Sequence, residues 1–183
     1  GNIGAGTGAT VGKVLGLKHC MKSGIGSASL KCDDLIVGAL VAVNCFGDVI
    51  DPQCGRIIAG ALAEDKKQFI NTISYLKNNP LTKNNSGQFP ANTTIGVIAT
   101  NAILTKAGAT KVAMMAQNGY ARTIIPAHTM FDGDTIFCSA TNKVEAEVNL
   151  VGILAAEVMA QAVVKAVKNT EPLYGLLSYK DLF

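Results

Sequence analysis

Aromatic residues make up only 5% of this sequence although 49% of it is hydrophobic, with alanine, glycine and valine supplying much of the apolar content. Such a core is built from small side chains in closely apposed sheets and helices. Lysine and arginine form no run and the net charge is +3, so a nucleic acid or anionic membrane partner lacks electrostatic support. The five cysteines (Cys20, Cys32, Cys45, Cys54, Cys138) are odd in number and include no C-x-x-C pair. That pattern argues against a zinc site or a disulfide framework and predicts buried thiols in a reducing compartment. The apolar run Leu35–Val43 is too short for a membrane span, which needs about 20 residues. The longer segment around Leu150 is interrupted by Glu157, Gln161 and Lys165. With no secretory leader pattern after Gly1, the expectation is a soluble, cytoplasmic protein. Histidine occurs only at positions 19 and 128, which leaves few arrangements for a Ser–His–Asp site. His128, close after Pro126, reads as a structural hydrogen-bonder.

The 183 residues suffice for one domain with a sizeable core, and neither repeats nor low-complexity tracts interrupt them. Residues 2–13 are rich in glycine, but they fit no nucleotide motif. A dinucleotide fingerprint needs a preceding strand, and a phosphate loop needs Ser or Thr where Val14 stands. The segment reads as a glycine-lined backbone packed close to a neighbour. Lys22–Leu30 is a second small-residue stretch, a loop or edge strand. Leu35–Val43 reads as a buried central strand, Arg56–Leu62 as another, and Glu64–Lys77 as a helix presenting Phe69, Ile73 and Leu76 on one face. Turn formers fill residues 77–92, a long loop near the chain's midpoint of the kind that is often functional. A strand over Thr93–Thr100, a helix over Thr105–Gly119, a strand over Thr135–Ala140 and a helix from about Glu145 to Lys168 complete the pattern.

Thr93 lies where that polar loop meets an abrupt apolar strand. A threonine hydroxyl is a poor nucleophile unless a base stands beside it, and a free α-amine on the same residue can be that base. The amine exists only if the Asn92–Thr93 bond is cut. Asp132 and Asp134 are two residues apart, so in an extended chain they share a side. They could orient an ammonium group or split their pKa values; equally, Asp132-Gly133 is an ordinary hairpin turn. Asn44, at the end of a predicted strand, suits either a turn or an amide donor aimed at an oxyanion.

Four motifs together carry a resemblance: residues 2–13, Gly38–Asn44, Asn92–Thr100, and Pro126–Thr129 followed by Asp132-Gly133-Asp134. In order and approximate spacing they resemble the P1/S58 peptidases, which include L-aminopeptidase/D-esterases, β-peptidyl aminopeptidases and nylon-oligomer hydrolases. The resemblance runs from Gly1 to the C-terminus. It implies an α/β, four-layer αββα sandwich, Ntn-hydrolase-like with different connectivity. It also implies a single catalytic domain over 1–183, self-cleaved between Asn92 and Thr93 into a 1–92 portion and a 93–183 chain that stay associated. Thr93 then becomes the nucleophile and Asn44 the oxyanion donor, with Asp132 and Asp134 positioning the threonine amine and hydroxyl and Lys13 at the edge of the site. No metal or cofactor is required, the substrates are small peptides or linear amides, and tetramers of αβ units are implied.

The sequence departs from the family pattern in two ways. Gln117-Asn118-Gly119-Tyr120 stands where a His-Asp-Gly-Leu-like segment is expected, and family members carry a segment ahead of the glycine-rich motif. Two alternatives therefore stay open: an ornithine-acetyltransferase-like acyltransferase, or an inactive, truncated or unprocessed relative serving as a binding or assembly module.

Overall fold

The computed structural model describes residues 1–80 and 92–183. Most of the turn-rich segment expected over 77–92 therefore falls outside the described residues. The chain opens with short strands β1 (Thr10–Val11) and β2 (Met21–Lys22), which pair with each other. Two longer strands, β3 (Ile25–Cys32) and β4 (Leu35–Ala42), then form an antiparallel hairpin. After β5 (Asp48–Asp51), β6 (Arg56–Ala59) and helix α1 (Thr72–Asn78) come β7 (Ile95–Ala102) and helix α2 (Lys106–Thr123). The last elements are β8 (Ile124–Ile125), β9 (Thr135–Val144) and helix α3 (Val148–Lys168).

Strands β3, β4, β7 and β9 form one sheet in that order, with β7 antiparallel to β4 and parallel to β9. The mixed α/β fold is the class expected from the sequence. Side chains alternate across the sheet as the period of a strand requires. Val37, Ala39 and Val41 of β4 and Ile98 of β7 turn to the core, where α3 supplies Val151, Ala155, Val158, Met159 and Ala162. The opposite face carries Ile36, Leu40, Ile95 and Phe137 at 46%, 45%, 45% and 59% exposure. The continuous apolar run of β4 predicts burial on both faces; among the described residues the helices cover only one.

Helix α2 starts where Thr105 accepts the Gly108 N–H, and α3 where Glu147 accepts those of Asn149 and Leu150, so both begin with a side-chain cap. α3 is long and apolar enough to cross a membrane by composition, yet it packs between the sheet and α2. Its Glu157 and Lys165 keep the exposed stripe expected of them.

The helix predicted over Glu64–Lys77 shortens to α1. Residues 62–69 instead close a turn, with Leu62 bridged to Phe69 and the Ala63 N–H donating to the Gln68 carbonyl at 2.9 Å. Asp65 captures the Lys67 N–H, Lys66 adopts a φ of 55°, and the helix begins only where Asn71 caps Ser74. The strand expected over Arg56–Leu62 ends at Ala59, and β5 is a strand that the sequence pattern does not predict. Of the cysteines, Cys20 and Cys45 are buried as expected, whereas Cys32 and Cys54 are exposed.

The glycine-rich start packs as its composition suggests. A Cβ on Gly6 would strike the backbone of Gly24 and Ile25, and one on Gly12, at φ 73°, would overlap Gly60 and Ala61. The three-stranded sheet, β6-β5-β8, helps to position the residues around Thr93. By pairing β5 with β8 it lays the Asn44–Gly47 segment against the cis Ile125–Pro126 bond, so closely that Gly47 has no room for a side chain.

Candidate active site

Three segments meet at Thr93. The first is the Asn44–Gly47 arm, which is tied back to the glycine-rich start: the Gly12 N–H donates to Gly47 O and the Lys13 N–H to Phe46 O, both at 2.9 Å. The second is the 126–134 turn. The third is the entry to β7. Phe46 links the first two, since its N–H donates to Asp132 Oδ1 at 2.9 Å and its ring lies 5.0 Å from that of Phe131.

The Asn92–Thr93 peptide is gripped at both ends. Its N–H, on Thr93, donates to the Asn44 carbonyl at 3.0 Å. Its carbonyl oxygen, on Asn92, accepts the Gly133 N–H at 2.9 Å and the Thr93 hydroxyl at 2.6 Å. The nucleophile candidate thus lies against the carbonyl group it would attack. Asn92 is held in turn: its backbone and side-chain amides both donate to Phe131 O at 3.1 Å, and it is 2% exposed.

Asn44 presents its side-chain oxygen to Lys13 Nζ at 2.7 Å and to the Thr10 N–H at 3.2 Å. Both partners can only donate, so the oxygen edge of the amide is fixed toward them and the NH₂ edge is left to face elsewhere. Lys13 is only 2% exposed. Burial lowers the pKa of its ammonium group, an effect opposed by Cys45, Cys20 and Asp132.

The two aspartates flank the junction, but their hydrogen bonds go to residues around Thr93. Asp132 holds Phe46 N–H and, at 2.6 Å, the Thr129 hydroxyl. Asp134 accepts the Thr94 N–H at 2.9 Å and the His128 N–H at 3.2 Å. The Asp-Gly pair makes no hairpin. Asn92 bridges Asp132 in parallel, and β9 then runs parallel to β7.

Gly133, which the sequence pattern did not single out, also lies against Thr93. A Cβ there would lie 2.9 Å from Thr93 Oγ1, so the bare backbone lets the hydroxyl and the Gly133 N–H share one carbonyl. The available signal was a glycine set between the two carboxylates. The departing segment Gln117–Tyr120 lies in α2, where Tyr120 is fully buried, its hydroxyl beneath Gly96 of β7.

Residues 1–178 match the sequence model of peptidase family S58. The chain belongs to that family. It is 38% identical over 205 aligned residues to an uncharacterized aminopeptidase of Mycobacterium leprae, covering all of this chain and 52% of the relative. It is 27% identical to a 6-aminohexanoate-oligomer endohydrolase of Kocuria, covering 92% of this chain and 50% of that enzyme. The S58 chain thus spans about half the length of the curated relatives it matches. Among solved structures, the L-aminopeptidase D-Ala-esterase/amidase of Ochrobactrum anthropi, described as a variant of the Ntn-hydrolase fold, superposes with a TM-score of 0.57. The two are 21% identical over 93% of this chain and 45% of the other, a likeness that establishes the fold.

Proposed function

We propose that this chain carries the catalytic centre of a self-processing amide hydrolase, an aminopeptidase or amidase on small peptides or linear amides, with Thr93 as nucleophile. One observation carries the proposal: the Asn92 carbonyl is held by the Gly133 N–H and touched by the Thr93 hydroxyl, while the nitrogen that would leave is held by Asn44. In processing, Thr93 Oγ attacks the Asn92 carbonyl carbon and the oxygen becomes an oxyanion facing Gly133 N. That donor already lies 2.9 Å from the carbonyl oxygen on which the charge would develop. The C–N bond breaks, the hydroxyl proton passes to the Thr93 nitrogen, and Asn92 is left as an ester on Thr93. Water then hydrolyses the ester to a carboxylate and the free hydroxyl.

The liberated amine can take the hydroxyl proton in the next reaction, so Thr93 attacks a substrate amide and forms a second ester, which water resolves. Asn44, with its oxygen fixed by Lys13 and Thr10, supplies its NH₂ edge to the substrate oxyanion. The two pieces stay associated because β4 of the first pairs along β7 of the second. Thr93→Ala tests the proposal: on a denaturing gel the variant runs as one chain where the wild type runs as two. A single band for both would remove Thr93 from the chemistry.

A further inference from the structure

His128 is the residue of the 126–134 turn for which acyl transfer through Thr93 has no use, and its surroundings are unusual. Its backbone sits at φ 56°, a region that disfavours most side chains, directly after the cis Ile125–Pro126 bond and Ala127. Its ring lies 6.1 Å from that of buried Tyr120, tilted by 38°. Its Nδ1 is 3.3 Å from Asp134 Oδ2, and its own N–H donates to the same oxygen at 3.2 Å. The Asp134 side chain is 1% exposed, whereas that of His128 is 40% exposed. The other Asp134 oxygen accepts the Thr94 N–H, one residue from the nucleophile, and the Thr94 carbonyl accepts the Thr135 N–H at 3.0 Å.

We propose that His128 is a positioning residue: its imidazole clamps Oδ2 of Asp134 so that Oδ1 holds the Thr94 N–H and with it the aim of the Thr93 side chain. This rests on Thr93 being the nucleophile. Without the ring, Oδ2 keeps only the His128 N–H at 3.2 Å, and a carboxylate held on that side by one bond could rotate away from Thr94, so that the hydroxyl would lose its alignment with the Asn92 carbonyl. At this φ of 56° the ring and the backbone N–H of one residue both lie against the same carboxylate oxygen. Misplacement of a reacting group by about 1 Å can cost on the order of 100-fold in rate.

The backbone conformation makes the test clean. Glycine and asparagine both accept positive φ, so His128→Gly removes the ring without adding strain, and His128→Asn keeps the backbone while offering an amide donor to Asp134. The protein is expressed with all of its native sequence. Cleavage is followed by intact mass after denaturation, turnover on an aminoacyl p-nitroanilide, and folding by melting temperature. His128→Gly is expected to slow cleavage and lower kcat by about 10- to 100-fold with KM nearly unchanged. His128→Asn should recover most of both, and neither should melt far from the wild type. A glycine variant that cleaves and turns over at the wild-type rate overturns the proposal, as does an asparagine variant no better than glycine. A wild type that never cleaves sinks the nucleophile itself and this proposal with it; equal cleavage by wild type and His128→Gly sinks this proposal alone.

Discussion

Lys13 and Lys22 are both buried near the start of the chain, at 2% and 0% exposure, and they do opposite things. Lys22 Nζ donates to three backbone carbonyls, Gly6 at 3.2 Å and Ala9 and Ser23 at 2.6 Å. Its ammonium is spent on staples that fold the glycine-rich segment onto β2. Lys13 Nζ reaches the Asn44 side-chain oxygen at 2.7 Å and its carbonyl at 3.4 Å, and that carbonyl is the acceptor for the Thr93 N–H. Burial depresses the pKa of both lysines, so a perturbed pKa does not separate them. The acceptors do. Lys22 is surrounded by main-chain carbonyls and secures the fold, whereas Lys13 is bound to the residue that holds the Asn92–Thr93 peptide and so adjoins the candidate site.

The sharpest way to break this comparison is through Asn44. Asn44→Asp keeps the oxygen that Lys13 and Thr10 bind but loses the NH₂ edge, so the fold should survive while turnover falls by about 10²- to 10³-fold, the typical worth of one oxyanion donor. Steady-state kinetics beside a melting curve check it; an unchanged kcat would leave Asn44 a purely structural residue. Next comes Lys13→Met, expected to lower cleavage and turnover by about 100-fold through a displaced Asn44, with folded protein still recovered. Lys22→Met should give the reverse. Losing the donor of three carbonyls costs about 1–3 kcal/mol of stability for each one left buried and unpaired, while the surviving folded molecules are expected to cleave at the wild-type rate. If denaturant melts and intact-mass time courses show the two variants behaving alike, the distinction between the lysines fails.

The smallest effect concerns Asp48, at the base of the arm that carries Asn44. It accepts the N–H groups of Ala61 and Thr72 and the Thr72 hydroxyl, yet burial outweighs these donors and pushes its pKa up to about 6. The native state therefore binds this proton more tightly than the unfolded chain does. Stability from this group is fully present below about pH 4 and is lost as pH rises from there through about 6, by on the order of 3 kcal/mol. Asp48→Asn should flatten that part of the melting temperature–pH curve. An unaltered slope would place the titration elsewhere.

Much of the frame was legible because the signals were local. The periodicity of residues 148–168 and the caps at Thr105 and Glu147 define helices that tertiary contacts do not override. The Glu64–Lys77 segment misleads because Asp65, Asn71 and the Leu62–Phe69 bridge offer its backbone other partners, and a helical pattern in the sequence cannot show them. Among site residues, the hydroxyl, carboxylate and amide candidates could be named from their chemistry. Gly133 could not, because its contribution is a backbone N–H and the space left by a missing side chain. His128 has the same difficulty. Its contact with Asp134 joins residues six apart across a turn, which no pattern in the sequence announces.

The central claim is that Thr93 becomes a chain terminus and then an acylating group. The most direct measurement is mass spectrometry of active protein trapped with a slowly hydrolysed acyl substrate and then denatured. A piece beginning at Thr93 that carries the acyl mass on that residue is the predicted result. An acyl group on an uncut chain, or on another residue such as Cys20, would contradict it.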